Sequence, residues 1–159
     1  MKLGRRLRRT RAGQYQLRLT RAERDLLRSL PGQVRELIET TDPADSSVRR
    51  LFPPAYRDEE EEKAEADYQS LVHDELLEHH RQALVVMEET IDADRLDEDQ
   101  VVSWLSALNE LRLVLGTNLD VTEGLEPVSP GDPRAPGLAL YGYLSWLQEQ
   151  VVEALEATL

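Results

Sequence analysis

Basic residues near the start of the chain form the pattern with the clearest chemical meaning. Five arginines fall within residues 1–11, a stretch without any acid, and another follows at position 18. An arginine guanidinium can donate two hydrogen bonds to a phosphate group or to guanine. We therefore predict phosphate contact, and so nucleic-acid binding, by these arginines: Arg5, Arg6, Arg8, Arg9, Arg11 and Arg18. The alternative is that this basic arm folds back onto the acidic remainder of the chain.

The histidines do not form a recognisable metal or catalytic site. His73, His79 and His80 fall in one apolar-periodic stretch, and Leu76 and Leu77 stand where a Glu-x-x-His pair would need acids. His-Glu-x-x-His, a phosphate loop, a dinucleotide fingerprint and a nucleophile elbow are all missing from the sequence. We predict packing roles for the histidines, no catalytic residue, no metal and no cofactor. The chain is not expected to be an enzyme.

Charge is distributed very unevenly. Residues 1–35 carry eleven Lys or Arg and two acids, whereas the rest carries eight Lys or Arg and 29 acids, which gives −12 overall. An acidic body argues against nonspecific binding of nucleic acid by the whole surface but not by a local basic arm. The sequence has no cysteine, no apolar run of about 20 residues and no secretory signal, so we expect a cytoplasmic protein.

Hydrophobic periodicity predicts a mainly α-helical fold. We expect about five helices, packed as an orthogonal or bundle-like domain with a small N-terminal β-hairpin. Thr20 and Glu23 form a capping box, Asp97 can cap a later helix, and Gly116 is placed to stop it. A single domain over 1–159 then divides as follows: basic arm and hairpin 1–19, helical pair 20–41, long helix 58–91, central helix 98–115, Pro/Gly loop 117–137 and C-terminal helix 138–157.

Arg112 is a charged residue within the apolar stripe of the predicted central helix. Leu111 and Leu113 flank it. We expect Arg112 to pair with an acid at a helix–helix or subunit contact, with a buried ion pair favoured over ligand binding.

Three segments together resemble a known family. RLFPPAY at 50–56, WLSALNELRLVLGT at 104–117 and YLSWLQE at 143–149 are similar, in order and spacing, to the actinobacterial oxidative-stress regulator family called AosR, formerly a domain of unknown function. A Gly-x-Tyr-type element at Gly13 and the capped helix after it extend the resemblance over nearly the whole chain. It implies a cytoplasmic transcriptional regulator that responds to oxidants.

A cysteine-free member of such a family cannot use a thiol switch of its own. We therefore expect a transcription-associated regulator that contacts DNA through the basic arm, acts through a protein partner such as a sigma factor, or does both. The alternative is a helical protein–protein module or homodimer that binds no nucleic acid. Large aromatic residues would anchor that interface, although we favour core packing for them: Trp104, Trp146, Tyr141 and Tyr143.

Overall fold

The structure is mainly α-helical, as the periodicity predicts. The computed structural model describes residues 4–40, 51, 62–118 and 131–157. Within these ranges the elements are β1 (Leu7–Arg9), β2 (Tyr15–Leu17), α1 (Arg21–Arg28), α2 (Leu30–Thr40), α3 (Glu62–Glu89), β3 (Arg95–Leu96), α4 (Glu98–Asn118) and α5 (Ala135–Glu156). The predicted helix start at 58 and most of the Pro/Gly loop at 117–137 lie outside the described residues.

The predicted hairpin is present, and a third strand joins it. Strands β1 and β2 pair antiparallel with Leu7 opposite Leu17, and Gly13 adopts φ 79° in the turn between them. That left-handed conformation costs little only for glycine. Strand β3 then pairs antiparallel with β2, placing Leu96 opposite Tyr15. Sequence reasoning missed β3 because two residues give no alternating pattern.

Helix starts follow the capping rules. The Glu23 amide donates to Thr20 Oγ1 over 3.1 Å, and the Thr20 amide donates to Glu23 Oε1 over 3.0 Å. Asp97 makes the same reciprocal pair with Gln100 at the start of α4. Both predicted caps are therefore confirmed, and each fixes where its helix begins.

Two helix boundaries differ from the predictions. Helix α4 continues through Gly116 to Asn118, and the Thr117 hydroxyl donates to the Leu113 carbonyl as an interior helical residue does. The prediction of a stop at Gly116 was therefore wrong. Helix α5 begins at Ala135 with Pro136 in its first turn, because a first-turn residue needs no amide donor.

The core is aliphatic and centres on α4, which packs against both α3 and α5. Helix α2 packs on α3 and α4, while β1 packs on α5. Trp104 is fully buried and its indole donates to Thr90 Oγ1 over 2.7 Å, which confirms core packing for this aromatic residue. No helix in the described part of the chain is long and apolar enough to cross a bilayer.

Candidate nucleic-acid interface

The hairpin that carries the predicted arginines is fixed to the helical body from its inner face. Leu7, Tyr15 and Leu17 are almost completely buried there. The backbone amide of Arg6 also donates to Gln150 Oε1 of α5 over 3.1 Å. The sixteen-residue segment from Gly4 to Leu19 contains no acid. Because the hairpin packs against the helical body, its arginines are held on a folded support and not on a free tail.

Arg6 is directed into the body. Its Nε donates to Glu23 Oε1 over 2.7 Å, and its guanidinium lies 5.4 Å from the centre of the Trp146 ring. The side chain is only 14% exposed. A guanidinium held by a carboxylate and an aromatic face keeps little capacity for an external phosphate. Arg6 therefore connects the hairpin to α1 and α5.

Glu23 is the acceptor at the centre of this contact. Its Oε1 accepts from Arg6 and from the Thr20 amide, and its Oε2 accepts from the Tyr143 hydroxyl over 2.6 Å. Burial alone would raise the pKa of Glu23, but the hydrogen bonds from Tyr143 and Thr20 and the charge of Arg6 hold that pKa below its ordinary value. Burial and the Glu23 contact raise the pKa of Tyr143. The carboxylate is therefore ionised and the phenol neutral at physiological pH.

Arg9 also has an internal partner. Its Nη1 donates to the Ala157 carbonyl over 3.1 Å, and its buried Nε makes no hydrogen bond with any residue in the described part of the chain. Ala157 is the C-cap of α5, where unpaired carbonyl groups carry partial negative charge. The positive charge of Arg9 is thus placed where it stabilises that helix end.

The remaining four arginines face solvent. Arg5, Arg8, Arg11 and Arg18 are exposed, and their side chains form no hydrogen bond or ion pair with any residue in the described ranges. Arg5, Arg8 and Arg18 line one hollow of about 240 Å³, together with Gly4 and Arg6. Arg11 lies in the turn outside it. Three of the six predicted arginines therefore line one hollow, and none of the three forms an ion pair with a described residue.

Histidines contribute no comparable site. His79 is exposed, whereas His80 Nδ1 lies 2.5 Å from Oε1 of the buried Glu110. Across residues 4–40, 51, 62–118 and 131–157, no group of three or more His, Asp or Glu could hold a metal ion.

The hairpin and the helices that hold it lie within one region that matches a known family. A family described as a domain of unknown function (DUF2017) matches residues 4–155. The chain belongs to this DUF2017 family. The matched region begins just before β1 and ends within the last turn of α5, so it includes both sides of the contact between the hairpin and α5.

Several relatives of this DUF2017 chain have names. It is 30% identical over 132 residues to the putative oxidative stress regulator AosR of Mycobacterium leprae, covering 73% of this chain and 61% of that protein. It is also 30% identical over 129 residues to the oxidative stress regulators AosR of Mycobacterium bovis and Mycobacterium tuberculosis, covering 71% of this chain and 59% of each. The chain thus spans about three fifths of these relatives. No solved structure matches it.

The sequence alone indicated the arginines of this DUF2017 chain, but it did not indicate which residues bind Arg6 and Arg9 inside the fold. Glu23 was assigned only its local cap, and Tyr143, Trp146 and Gln150 were not connected to the hairpin. These contacts span 120 to 144 residues along the sequence. No local pattern signals them, so only the fold separates Arg6 and Arg9 from the free arginines.

Proposed function

We propose that this chain is a transcription-associated regulatory protein that contacts the DNA backbone through Arg5, Arg8 and Arg18, with Arg11 at the edge of the contact. The observation that carries the proposal is the hollow that three exposed arginines share, none of which forms an ion pair with a described residue. The names of the AosR relatives support a regulatory role.

The charge distribution favours one orientation on DNA. Beyond residue 35 the chain has a net charge of −21, so most of the surface repels phosphate. The hairpin presents cations on a two-stranded ribbon, and phosphate contacts of this kind position a protein without reading bases. We expect affinity that depends steeply on salt, with sequence preference supplied by other contacts.

The proposed response to oxidants requires a partner protein that senses the oxidant. The chain contains no cysteine, so oxidation cannot act on a thiol of its own. In this proposal an oxidant-responsive partner, for which a sigma factor is one candidate, changes the regulator's occupancy on DNA. Arg6 and Arg9 have a positioning role, because they hold the hairpin against α1 and α5.

The test is a salt series of DNA binding. Fluorescence anisotropy with a labelled duplex would compare the wild type with the Arg5→Ala/Arg8→Ala/Arg18→Ala variant. If each arginine neutralises one phosphate, the triple change should reduce the slope of log K against log salt by about 2–3. It should also weaken binding at low salt by at least about tenfold.

A control variant that loses the same number of positive charges distinguishes an effect of this hollow from an effect of net charge. Arg28, Arg81 and Arg134 pair with carboxylates on other surfaces, so their triple alanine variant loses the same charge without changing the hollow. This control should retain the wild-type salt slope. Equal losses in both triple variants would contradict the proposed site. Absence of wild-type binding at low salt would overturn the DNA role and leave the protein–protein module.

A further inference from the structure

Arg112 is held in one orientation on the surface where α4 meets α5. Its Nε donates to Ser145 Oγ over 2.9 Å, its Nη1 donates to Gln148 Oε1, and its guanidinium lies 5.4 Å from the centre of the Tyr141 ring. Ser145 in turn donates to the Tyr141 carbonyl. Because all of these partners are neutral, no residue in the described ranges neutralises the positive charge of Arg112.

This arrangement differs from the ion pairs that three other partly buried arginines form. Arg6 contacts Glu23, Arg24 contacts Asp94 and Arg35 contacts Glu88. Arg112 contacts no carboxylate anywhere in the described ranges, and it is the only Lys or Arg within 98–118 and 135–156. Within the described ranges α4 and α5 offer Arg112 only neutral groups, so the predicted acid is not found at this helix–helix contact. The predicted subunit contact stays a prediction.

The same α4–α5 surface carries an acidic side chain that forms no ion pair with a described basic residue. Glu149 is exposed and makes no ion pair with any described residue. It follows Ser145 by four residues, so it lies one helical turn further along the same side of α5. One molecule thus presents an oriented cation and an unpaired carboxylate on either side of Ser145 and Gln148.

We propose that this α4–α5 surface binds a second copy of the chain, with Arg112 of each copy pairing with Glu149 of the other. A two-fold interface brings one surface onto itself, so residue i meets residue j twice. An axis passing between Arg112 and Glu149 provides both pairs at once. Tyr141, already stacked on Arg112, would be covered at the centre, as aromatic residues often are in interfaces.

A second copy fits this surface better than an unrelated acidic protein because the surface contains both halves of the pair. An acidic partner would neutralise Arg112 but would bring a further negative charge against Glu149. Like charges placed together at an interface disfavour a complex. This inference does not depend on DNA binding by the hairpin.

The test is the monomer–dimer equilibrium of the full chain, measured by sedimentation across a concentration series. We expect the wild type to dimerise, and both Arg112→Glu and Glu149→Arg to raise the dimer Kd at least about tenfold by placing like charges together. The double variant Arg112→Glu/Glu149→Arg restores opposite charges and should recover most of the dimer. Glu149→Arg leaves the contacts of Arg112 within the chain unchanged, so its effect does not depend on refolding of the surface.

The matched control is Glu75→Arg, which reverses an exposed acid on α3 and should leave the dimer Kd unchanged. A monomeric wild type would overturn the proposal. So would a dimer that is insensitive to both single reversals, or a double variant as weak as either single one. Thermal unfolding monitored by circular dichroism verifies that each variant is folded.

Discussion

His80 and Glu110 form a hydrogen-bonded pair in the core. His80 Nδ1 lies 2.5 Å from Glu110 Oε1, and His80 Nε2 lies 3.2 Å from the Leu51 carbonyl. A doubly protonated imidazolium beside an ionised Glu110 satisfies both contacts, and so does a neutral imidazole beside a protonated Glu110. Glu110 is 2% exposed, and its Oε2 accepts no hydrogen bond from any residue that the structure describes. The pair joins α3 to α4 and holds the backbone at Leu51.

Stability should fall as pH rises above the ordinary histidine range. Burial alone would lower the pKa of His80, but the hydrogen bond and charge of Glu110 and the Leu51 carbonyl raise it above 6.5, while burial raises the pKa of Glu110. The folded state thus binds protons more tightly than the unfolded state does, which stabilises the fold. This stabilisation is complete below pH 6.5, and it is lost as pH rises through the pKa that His80 has in the folded state. Urea unfolding from pH 6 upward measures the decline.

A His80 variant provides the control for that pH dependence. His80→Leu leaves a buried Glu110 without its donor, which should cost about 3–5 kcal/mol near neutral pH. The penalty should shrink in acid because protonated Glu110 is uncharged. If the wild type and His80→Leu showed parallel pH profiles, another group would be responsible for the decline.

Tyr143 offers a second residue-scale prediction. Its hydroxyl donates to the ionised Glu23 over 2.6 Å, so Tyr143→Phe should lower the free energy of unfolding by about 1.5–3 kcal/mol, the usual range for a hydrogen bond to a charged group. Tyr141→Phe is the matched control, since its hydroxyl lies 3.5 Å from Arg112 Nη2. Urea titration compares the two, and equal effects would argue against a central role for Glu23.

At the scale of elements, local sequence patterns predicted most of the helices and the hairpin. The 3.6-residue periodicity predicted the helices, and the reciprocal side-chain bonds of Thr20 and Asp97 placed two helix starts. Strand β3 could not be predicted, because Arg95 and Leu96 become a strand only when β2 lies beside them. Gly116 was misassigned since its burial inside α4 depends on helix packing, which no local signal encodes.

Two glycines should respond oppositely to the same substitution. Gly13 has φ 79° in the hairpin turn, so Gly13→Ala should destabilise the protein by about 1–2 kcal/mol. Gly142 lies exposed within α5 with open space around it, so Gly142→Ala should stabilise by about 0.5–1 kcal/mol. Thermal unfolding reports both signs. A neutral Gly13→Ala would mean that the turn rearranges without cost.

At the scale of the whole molecule, the basic segment is part of the folded body. The sequence predicted the arginine cluster from composition, but the division between internal and free arginines follows from contacts with α1 and α5. Such contacts join distant parts of the chain, so no window of sequence contains them. The basic hairpin is therefore packed against the helices α1 and α5 and is not a separate tail.

Deleting residues 1–11 should consequently destabilise the entire protein. The deletion removes β1, the buried Leu7 and the partners of Glu23 and the α5 C-terminus. Loss of a buried leucine side chain alone costs about 2–5 kcal/mol. Urea unfolding monitored by circular dichroism should show a clearly lower midpoint. An unchanged midpoint would mean that the segment contributes nothing to the core.

The two tryptophans lie in different parts of the molecule, so their fluorescence reports on different structural changes. Trp104 is sealed in the core and hydrogen-bonded to Thr90, whereas Trp146 lies under the guanidinium of Arg6 at the base of the hairpin. Emission from Trp104 should therefore change when the core melts, and emission from Trp146 when the hairpin lifts away. With Trp146→Phe to isolate the first signal, ordinary fluorescence can time hairpin undocking separately from global unfolding, without any attached dye.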